Sequence, residues 1–411
     1  MSRRAVITGI GVVAPNGVGT ETYWSATRNG KNAVRRITSF DPSPYPTQLA
    51  GEVQGFKPED HIDGRLIVQT DRWTWLALAA ADMALKDAAL DPRKAEPYHM
   101  SVITASSSGG NEFGQKEIGN LWGKGVLFVG AYQSIAWFYA ATTGQIAIKW
   151  GMKGPCGVVL SEGAGGLEAL AHSWRNIRRG VDVVVSGGTE APLCPYALVC
   201  QLQNGLMSRE KDPALAYRPF DAKANGYVPG EGGAILIVEE FEYAKKRGAP
   251  HVYAEMLGYC ATQDGYHHAK RAPDARQYAR AMRQAIQNAG ISPQEVDVIF
   301  ADGAGDLEAD ALEAEAIREV FGSRASEIPV TAPKSMVGRL YAGGASLDVA
   351  TAALSLRDQV VPPIVNLSEP AKDCKLNFVT REQRMKIRTA LVNGRGYGGF
   401  NAAIVLHKYE A

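Results

Sequence analysis

Residues Val158 to Leu170, VVLSEGAGGLEAL, constrain this chain more than any other stretch. They read as a short buried strand, a sharp turn and the start of a helix. Leu167, Leu170, Ala171, Trp174 and Ile177 recur at three and four residues, which gives the helix one apolar face. Arg178-Arg179 in its last turn and Gly180 just beyond are stop signals. Gly165-Gly166 let the first turn approach other backbone closely. Many enzymes present a nucleophile on such a strand, turn and helix. Here the tip is Glu162-Gly163-Ala164, with neither Cys nor Lys. The pedestal is present and the reactive group is not.

Strand-like and helix-like runs alternate on both sides of this stretch. Strands are predicted at 5–8, 101–104, 182–186 and 234–239, and helices over 70–89 and 133–150. The alternation restarts after about residue 250. Strands follow at 252–259, 296–301, 389–393 and 402–406, with helices over 277–288, 306–320 and 342–356. This implies an α/β protein with mainly buried strands. It also divides the chain into two similar halves, 1–250 and 251–411. No low-complexity linker separates them, so they are expected to pack on each other. With 411 residues, 45% of them hydrophobic, the core can be large.

The charge balance is nearly even, 44 Lys+Arg against 43 Asp+Glu, so no global field points to nucleic acid or an anionic membrane. A local basic patch could still receive an acidic carrier domain. Five cysteines without a CxxC pair suit neither a disulfide framework nor a zinc site, and fit a reducing, cytoplasmic setting. Arg3-Arg4 precede an apolar run, but Pro15-Asn16-Gly17 end it without a convincing cleavage site. A buried first strand is the expectation. The apolar stretch Trp73 to Leu85 contains Asp82 and is too short to span a bilayer.

Isolated motifs carry less. GIGVVA, Gly9 to Ala14, matches the dinucleotide pattern. That pattern needs a helix to start within it, and here Pro15 and Asn16-Gly17 make a loop first. A tight turn after the first strand is expected instead. Ser161 lacks the glycine of a GxSxG elbow, because Val159 stands there, and it falls in the strand end. Adjacent His267-His268 cannot face one metal from a strand or helix, and no third ligand is apparent. Cys156, Cys194, Cys200, Cys260 and Cys374 have no matched histidine and read as ordinary buried cysteines. No metal or cofactor is expected.

Four later stretches belong with the opening one: GGTEAP at Gly187 to Pro192, ADGAGDLEADALE at Ala301 to Glu313, KSMVGR at Lys334 to Arg339, and NGRGYGGFNAA at Asn393 to Ala403. RAVITGIGVVAPNG near the start, ITSFDPSPYPTQLAGEV from Ile37 and RPFDAKANGYVPGEGGAILIVE from Arg218 complete the set. Over nearly its whole length the chain resembles the elongating β-ketoacyl-ACP synthases of the thiolase fold. That resemblance implies two similar α/β halves packed as a layered α-β-α-β-α core. In active members a cysteine takes the acyl chain at the position of Gly163, its thiolate favoured by the helix N-terminus. Two histidines, from HGT and KSxxGH motifs, hold the extender carbonyl during decarboxylation. The matching positions here are Asp302 and Arg339. Asp310, Glu313 and Lys334 match supporting residues, and Gly396-Tyr397-Gly398-Gly399 matches the GFGG loop that helps form the oxyanion hole.

A chain that loses Cys and both His but keeps the frame is similar to the chain length factors, the ketosynthase β subunits of type II polyketide synthases. SEGAGGLEAL and the aromatic-rich segment Tyr132 to Pro155 are close to their form. Many members carry glutamine at the elbow, and Gly163 departs from that. The resemblance implies no catalytic residues in this chain and a heterodimer with a ketosynthase α subunit that supplies Cys and both His. It also implies an acyl carrier protein bearing malonyl and polyketide chains, and a shared tunnel that sets chain length in antibiotic biosynthesis. Carried over at spacing i, i+3 and i+7, the tunnel positions are Asn111, Gly114 and Ile118. Bulky aromatics fill some of these in relatives, so two small residues imply a roomier tunnel. The competing reading makes Asn111 a helix cap and Gly114 a loop glycine. Two other functions stay open at this point: an acyltransferase or ketosynthase with an unusual nucleophile, and a homodimeric scaffold. Asp302 and Arg339, of opposite charge, are expected to approach each other, or nearby polar groups, and fill the vacated site.

Overall fold

In the computed structural model, which describes residues 3–409, strand β1 (Ala5–Ala14) is buried along its length beneath helix α1 (Arg72–Asp87). Its glycines make that approach possible. A Cβ on Gly11 would strike the Ala80 carbonyl, and one on Gly9 the Ala84 carbonyl. GIGVVA is therefore not a turn after the first strand, as expected, but the middle and end of the strand itself. The chain reverses only after Ala14, where Gly17–Val18 pairs back onto β1.

The first half adds β2 (Met100–Ala105), β3 (Gly157–Val159), β4 (Val183–Glu190) and β5 (Gly232–Glu240). The second supplies β6 (Ala254–Gln263), β7 (Val298–Phe300), β8 (Pro329–Thr331), β9 (Asn377–Phe378), β10 (Thr389–Gly396) and β11 (Phe400–His407). Among the described residues they form one twelve-stranded sheet in the order β9-β8-β7-β10-β11-β6-β1-β5-β4-β2-β3, with Gly17–Val18 beside β1. The halves repeat one pattern. β1 pairs antiparallel with β5, β5 antiparallel with β4, and β4-β2-β3 run parallel. β6 pairs antiparallel with β11, β11 antiparallel with β10, and β10-β7-β8 run parallel. The seam between halves is short: Val6 opposite Glu255 and Ile7 opposite Ala254.

Helices α2 (Asn111–Lys124), α3 (Gln133–Ala136), α4 (Ala141–Trp150), α5 (Gly165–Arg178), α6 (Arg276–Asn288), α7 (Leu307–Phe321) and α8 (Ala342–Asp358) complete the layers. α1 and α4 cover the outer face of the first half. α6 and α7 cover the outer face of the second. α5 and α8 lie between the two sets of strands in the central core. The result is the five-layer α-β-α-β-α arrangement. Close contact in the middle layer rests on Gly166, where a Cβ would strike Ser346 and the Ala342 carbonyl.

Two expectations change. The helix expected over 133–150 is broken at Trp137 to Ala140, because the Trp137 carbonyl accepts a hydrogen bond from Gly110 N at 3.2 Å and is drawn out of the helix. The opening strand, expected to be buried, is the half-buried edge strand β3. No helix among the described residues is long and apolar enough to cross a membrane.

Candidate functional site

After β3 the chain enters a single 3-10 turn, Glu162–Ala164, and runs straight into α5. Ser161 precedes this turn rather than ending the strand, and Glu162 holds a left-handed φ of 46°, a strained conformation for a side-chain-bearing residue. Gly163 follows at the tip. A Cβ there would lie 2.5 Å from Nη2 of Arg339 and 2.5 Å from the Arg395 carbonyl oxygen. The space a nucleophile would occupy is filled by a guanidinium.

Arg339 is fixed from three sides. It donates to the Arg395 carbonyl at 2.6 Å, to Asp302 Oδ2 at 3.3 Å and to Glu162 Oε2 at 3.4 Å. Asp302 and Arg339 therefore meet as expected. The other Asp302 oxygen accepts from Arg395 N at 3.1 Å and lies 3.5 Å from Nζ of Lys334. Lys334 in turn pairs with Asp348 of α8 at 2.7 Å. Burial alone would raise the Asp302 carboxyl, but Arg339 and Lys334 outweigh it and hold it below the usual carboxylate range. Burial would lower the Arg339 guanidinium and the Lys334 ammonium, and the facing carboxylates raise both instead.

Beneath this layer Glu313 accepts from Asp302 N and Gly303 N, both at 2.8 Å, and from the Tyr278 hydroxyl at 2.9 Å. Asp310 accepts from Phe220 N at 2.8 Å and Gly305 N at 3.2 Å. Burial raises both carboxyls, with repulsion from neighbouring carboxylates adding to it. These residues shape the loop that carries Asp302. Tyr397 is half-exposed, and its backbone N donates to Glu162 Oε2 at 2.7 Å. The retained glycine loop thus offers its amide to the chain's own carboxylate. A cavity of about 650 Å³ adjoins the layer, lined by Glu162, Asp302, Arg339, Arg395, Tyr397 and Ala269 among others.

Asn111, Gly114 and Ile118 lie on α2, away from this layer. Gly110, not Asn111, holds the cap position, so the cap reading of Asn111 fails, as does the loop reading of Gly114. Ile118 is half-exposed, but Gly114 is buried because Cδ1 of Trp137 lies 3.1 Å from where its Cβ would be. Small residues at these positions do not leave open space at Gly114; the indole takes it. Two buried carboxylates hold the start of α2. Asp71 accepts from Phe113 N at 2.7 Å, and Glu190, the last residue of β4, accepts from Ser107 N, from Ser107 Oγ at 2.9 Å and from Ser108 Oγ at 2.5 Å. Burial pushes each up to about 7.

Burial raises the thiols of Cys194 and Cys374, to about 11 and about 12, and desolvation of the sulfur raises those of Cys260 and Cys156, away from the reactive thiolate. Cys156 and Cys200 are exposed, not buried as expected. His267 and His268 stack on each other at 4.3 Å, and no group of three His, Cys, Asp or Glu among the described residues is placed to hold a metal ion. Glu162, Asp348, Arg395, Glu190 and Trp137 carry parts of the site that no motif singled out. Glu162, Glu190, Arg395 and Trp137 sit inside stretches quoted above, SEGAGGLEAL, GGTEAP, NGRGYGGFNAA and Tyr132 to Pro155, without any of these residues having been given a role there.

The sequence matches the beta-ketoacyl synthase N-terminal domain over residues 2–244 and the C-terminal domain over 253–368. It is 50% identical to the tetracenomycin polyketide synthase ketoacyl synthase beta subunit of Streptomyces glaucescens, across 98% of each chain. It is 48% identical to the actinorhodin polyketide putative beta-ketoacyl synthase 2 of Streptomyces coelicolor, again across 98% of each. The fold superposes on a chain of the ishigamide ketosynthase/chain length factor with a TM-score of 0.93, 29% identity and complete coverage of both. A type II polyketide synthase acyl-carrier protein in complex with its ketosynthase bound to the hexaketide gives 0.91, 30% and complete coverage. The thiolase-like layers and these relatives agree: the chain belongs to the beta-ketoacyl synthase family, on its ketosynthase β, or chain length factor, branch.

Proposed function

We propose that this chain is the non-condensing subunit of a type II polyketide synthase, working in the cytoplasm. It pairs with a ketosynthase α subunit and shapes the tunnel that sets polyketide length. One observation carries the non-condensing role: the guanidinium of Arg339 fills the space beside Gly163, so the elbow holds neither a nucleophile nor room for one. Asp302 and Arg339 stand at the positions of the two histidines and neutralise each other. Neither has a proton to exchange near neutral pH.

The surface supports a partner. Strand β3 leaves one edge unpaired among the described residues. Elsewhere in the same half Leu127, Trp122, Val126 and Ile148 are 93%, 83%, 74% and 76% exposed, with Phe128 and Phe138 also on the surface. Apolar side chains so exposed mark an interaction face. The partner supplies Cys and His, and an acyl carrier protein brings malonyl and growing chains to it; a similar chain comes from a type II synthase ketosynthase in complex with its acyl-carrier protein and bound to the hexaketide. Asn111, Gly114 and Ile118 then border the tunnel from this side, where a wall limits growth by volume. Asp310, Glu313, Lys334 and the Tyr397 loop keep the emptied frame in shape.

The test is polyketide formation from malonyl-carrier protein, by this chain alone and by this chain co-purified with its ketosynthase. Product from the pair only, with acyl label only on the partner's cysteine, is expected. Product or label on this chain alone would overturn the proposal.

A further inference from the structure

Two of the three positions on α2, Asn111 and Gly114, bring little bulk to this wall. Gly114 has no side chain, and the indole of Trp137 occupies the place where one would be, with Cδ1 3.1 Å from the virtual Cβ. That distance is shorter than ordinary van der Waals contact, so Gly114 and Trp137 fit only as a pair. Gln133 Nε2 lies 3.9 Å from the same point.

The backbone below the indole cannot retreat. Trp137 N donates to the Gln133 carbonyl at 3.2 Å, and the Trp137 carbonyl accepts from Gly110 N at 3.2 Å. Gly109 and Gly110 press directly on this segment. A Cβ on Gly109 would lie 2.7 Å from the Trp137 carbonyl oxygen, and one on Gly110 would strike the Ala136 carbonyl. Gly109 also has a φ of 64°, open to glycine. The ring packs on Tyr139 at 5.8 Å between centroids, yet the residue keeps 42% of its surface exposed. The Cδ1–Nε1 edge of the indole lies against Gly114 of α2, and part of the ring stays exposed. Ile118, one turn beyond Gly114 on the same helical face, is exposed beside it.

We infer that Trp137 is the specificity-determining residue of this wall: its indole, seated in the gap left by Gly114, sets how far a polyketide can extend on this side. The inference rests on the length-setting role proposed above. Bulk is delivered from the segment after α3, on a backbone clamped by two glycines, instead of from α2 itself. The wall is therefore a rigid ring on a fixed support, and its position depends on Gly114 staying glycine.

The test uses the full chain paired with its ketosynthase and malonyl-carrier protein as substrate. Three variants are compared: Trp137→Ala, Trp137→Phe and Gly114→Ala. Pair formation is followed by size-exclusion chromatography, malonyl consumption by release of carbon dioxide, and product length by mass spectrometry. Trp137→Ala should move the main product up by at least one ketide unit, with malonyl consumption within about twofold of the parent pair. Trp137→Phe should give a mixture of the parent and longer lengths. Gly114→Ala pushes the indole outward and should move product toward shorter chains. A merely structural role would alter pairing or consumption and leave length alone. Unchanged length in both Trp137 variants, with pairing and consumption intact, would overturn the inference. A parent pair that makes no product, or a chain that makes it without the partner, would overturn the length-setting role first and this inference with it.

Discussion

Gly163 and Arg339 exclude each other's alternatives: a Cβ on the first would lie 2.5 Å from Nη2 of the second. A cysteine cannot simply be put back. Gly163→Cys should lower stability by about 1–3 kcal/mol through overpacking and should take no acyl label. Adding Arg339→His removes the guanidinium but not the Arg395 carbonyl, which lies equally close. The double variant should therefore recover only part of the loss. Urea denaturation and labelling by an acyl donor read the two effects. Stable, labelled Gly163→Cys protein would show that the guanidinium yields easily.

Asp302 serves both Arg339 and Lys334, so its removal should be felt at both. Asp302→Ala should cost about 3–5 kcal/mol, the range for stripping a partner from a buried ion pair. Arg339→Ala leaves Asp302 with Lys334 at 3.5 Å and should cost less. The double variant should cost less than the sum, which a double-mutant cycle by chemical denaturation measures. The pH dependence has a definite sign. Asp302 is held below its ordinary 3.8, so its contribution is complete above that value and falls away as pH drops through the lower folded one. The advantage of the parent over Asp302→Asn should shrink in acid.

Glu190 behaves in the opposite way. Burial raises it from 4.5 to about 7, so the folded chain keeps a proton that the unfolded chain has lost within that window. Stability from this group is complete below about pH 4.5 and declines as pH rises through 7. Glu190→Gln removes the titration while leaving a carbonyl to accept from Ser107. The melting temperature of the variant should rise relative to the parent between pH 5 and pH 8, by an amount equivalent to at most about 1.4 kcal/mol per pH unit. A constant difference across that range would show that Glu190 titrates normally.

Leu127 is 93% exposed and supports nothing within the chain. Leu127→Asp should leave the isolated chain within about 0.5 kcal/mol of the parent. It should weaken pairing with the ketosynthase by about tenfold or more if the residue lies in the buried centre of that contact. Co-purification and analytical ultracentrifugation measure this. Undiminished pairing in Leu127→Asp and in Trp122→Ala would move the interface elsewhere.

Local periodicity made most strands and helices legible, because buried strands and amphipathic helices write themselves at spacings of two and of three to four. The exceptions have tertiary causes. The helix expected through Trp137 breaks where Gly110 takes its carbonyl, a contact about 27 residues away in sequence that no local pattern carries. GIGVVA looked like a turn because glycines favour turns, and proved to be strand because α1 needed the space. The departures from the family's motifs at Gly163, Asp302 and Arg339 are read from the sequence. Their surroundings were only half legible: opposite charges suggested that Asp302 and Arg339 meet, while Glu162, with a left-handed backbone and its side chain on Tyr397 N, was not foreseen. Small residues at Gly114 suggested room, and the indole that takes it comes from another segment.

Helix α8 belongs by sequence to the second half of the chain, yet it is buried from Ala342 to Leu356 against strands of both halves. Neither half could be discarded without stripping the inner lining from the other. A lineage retiring the chemistry of such a subunit has no lobe to delete. It can only rewrite single residues in place, and the proposed exchanges at Gly163, Asp302 and Arg339 would be that kind of change, leaving the outline whole.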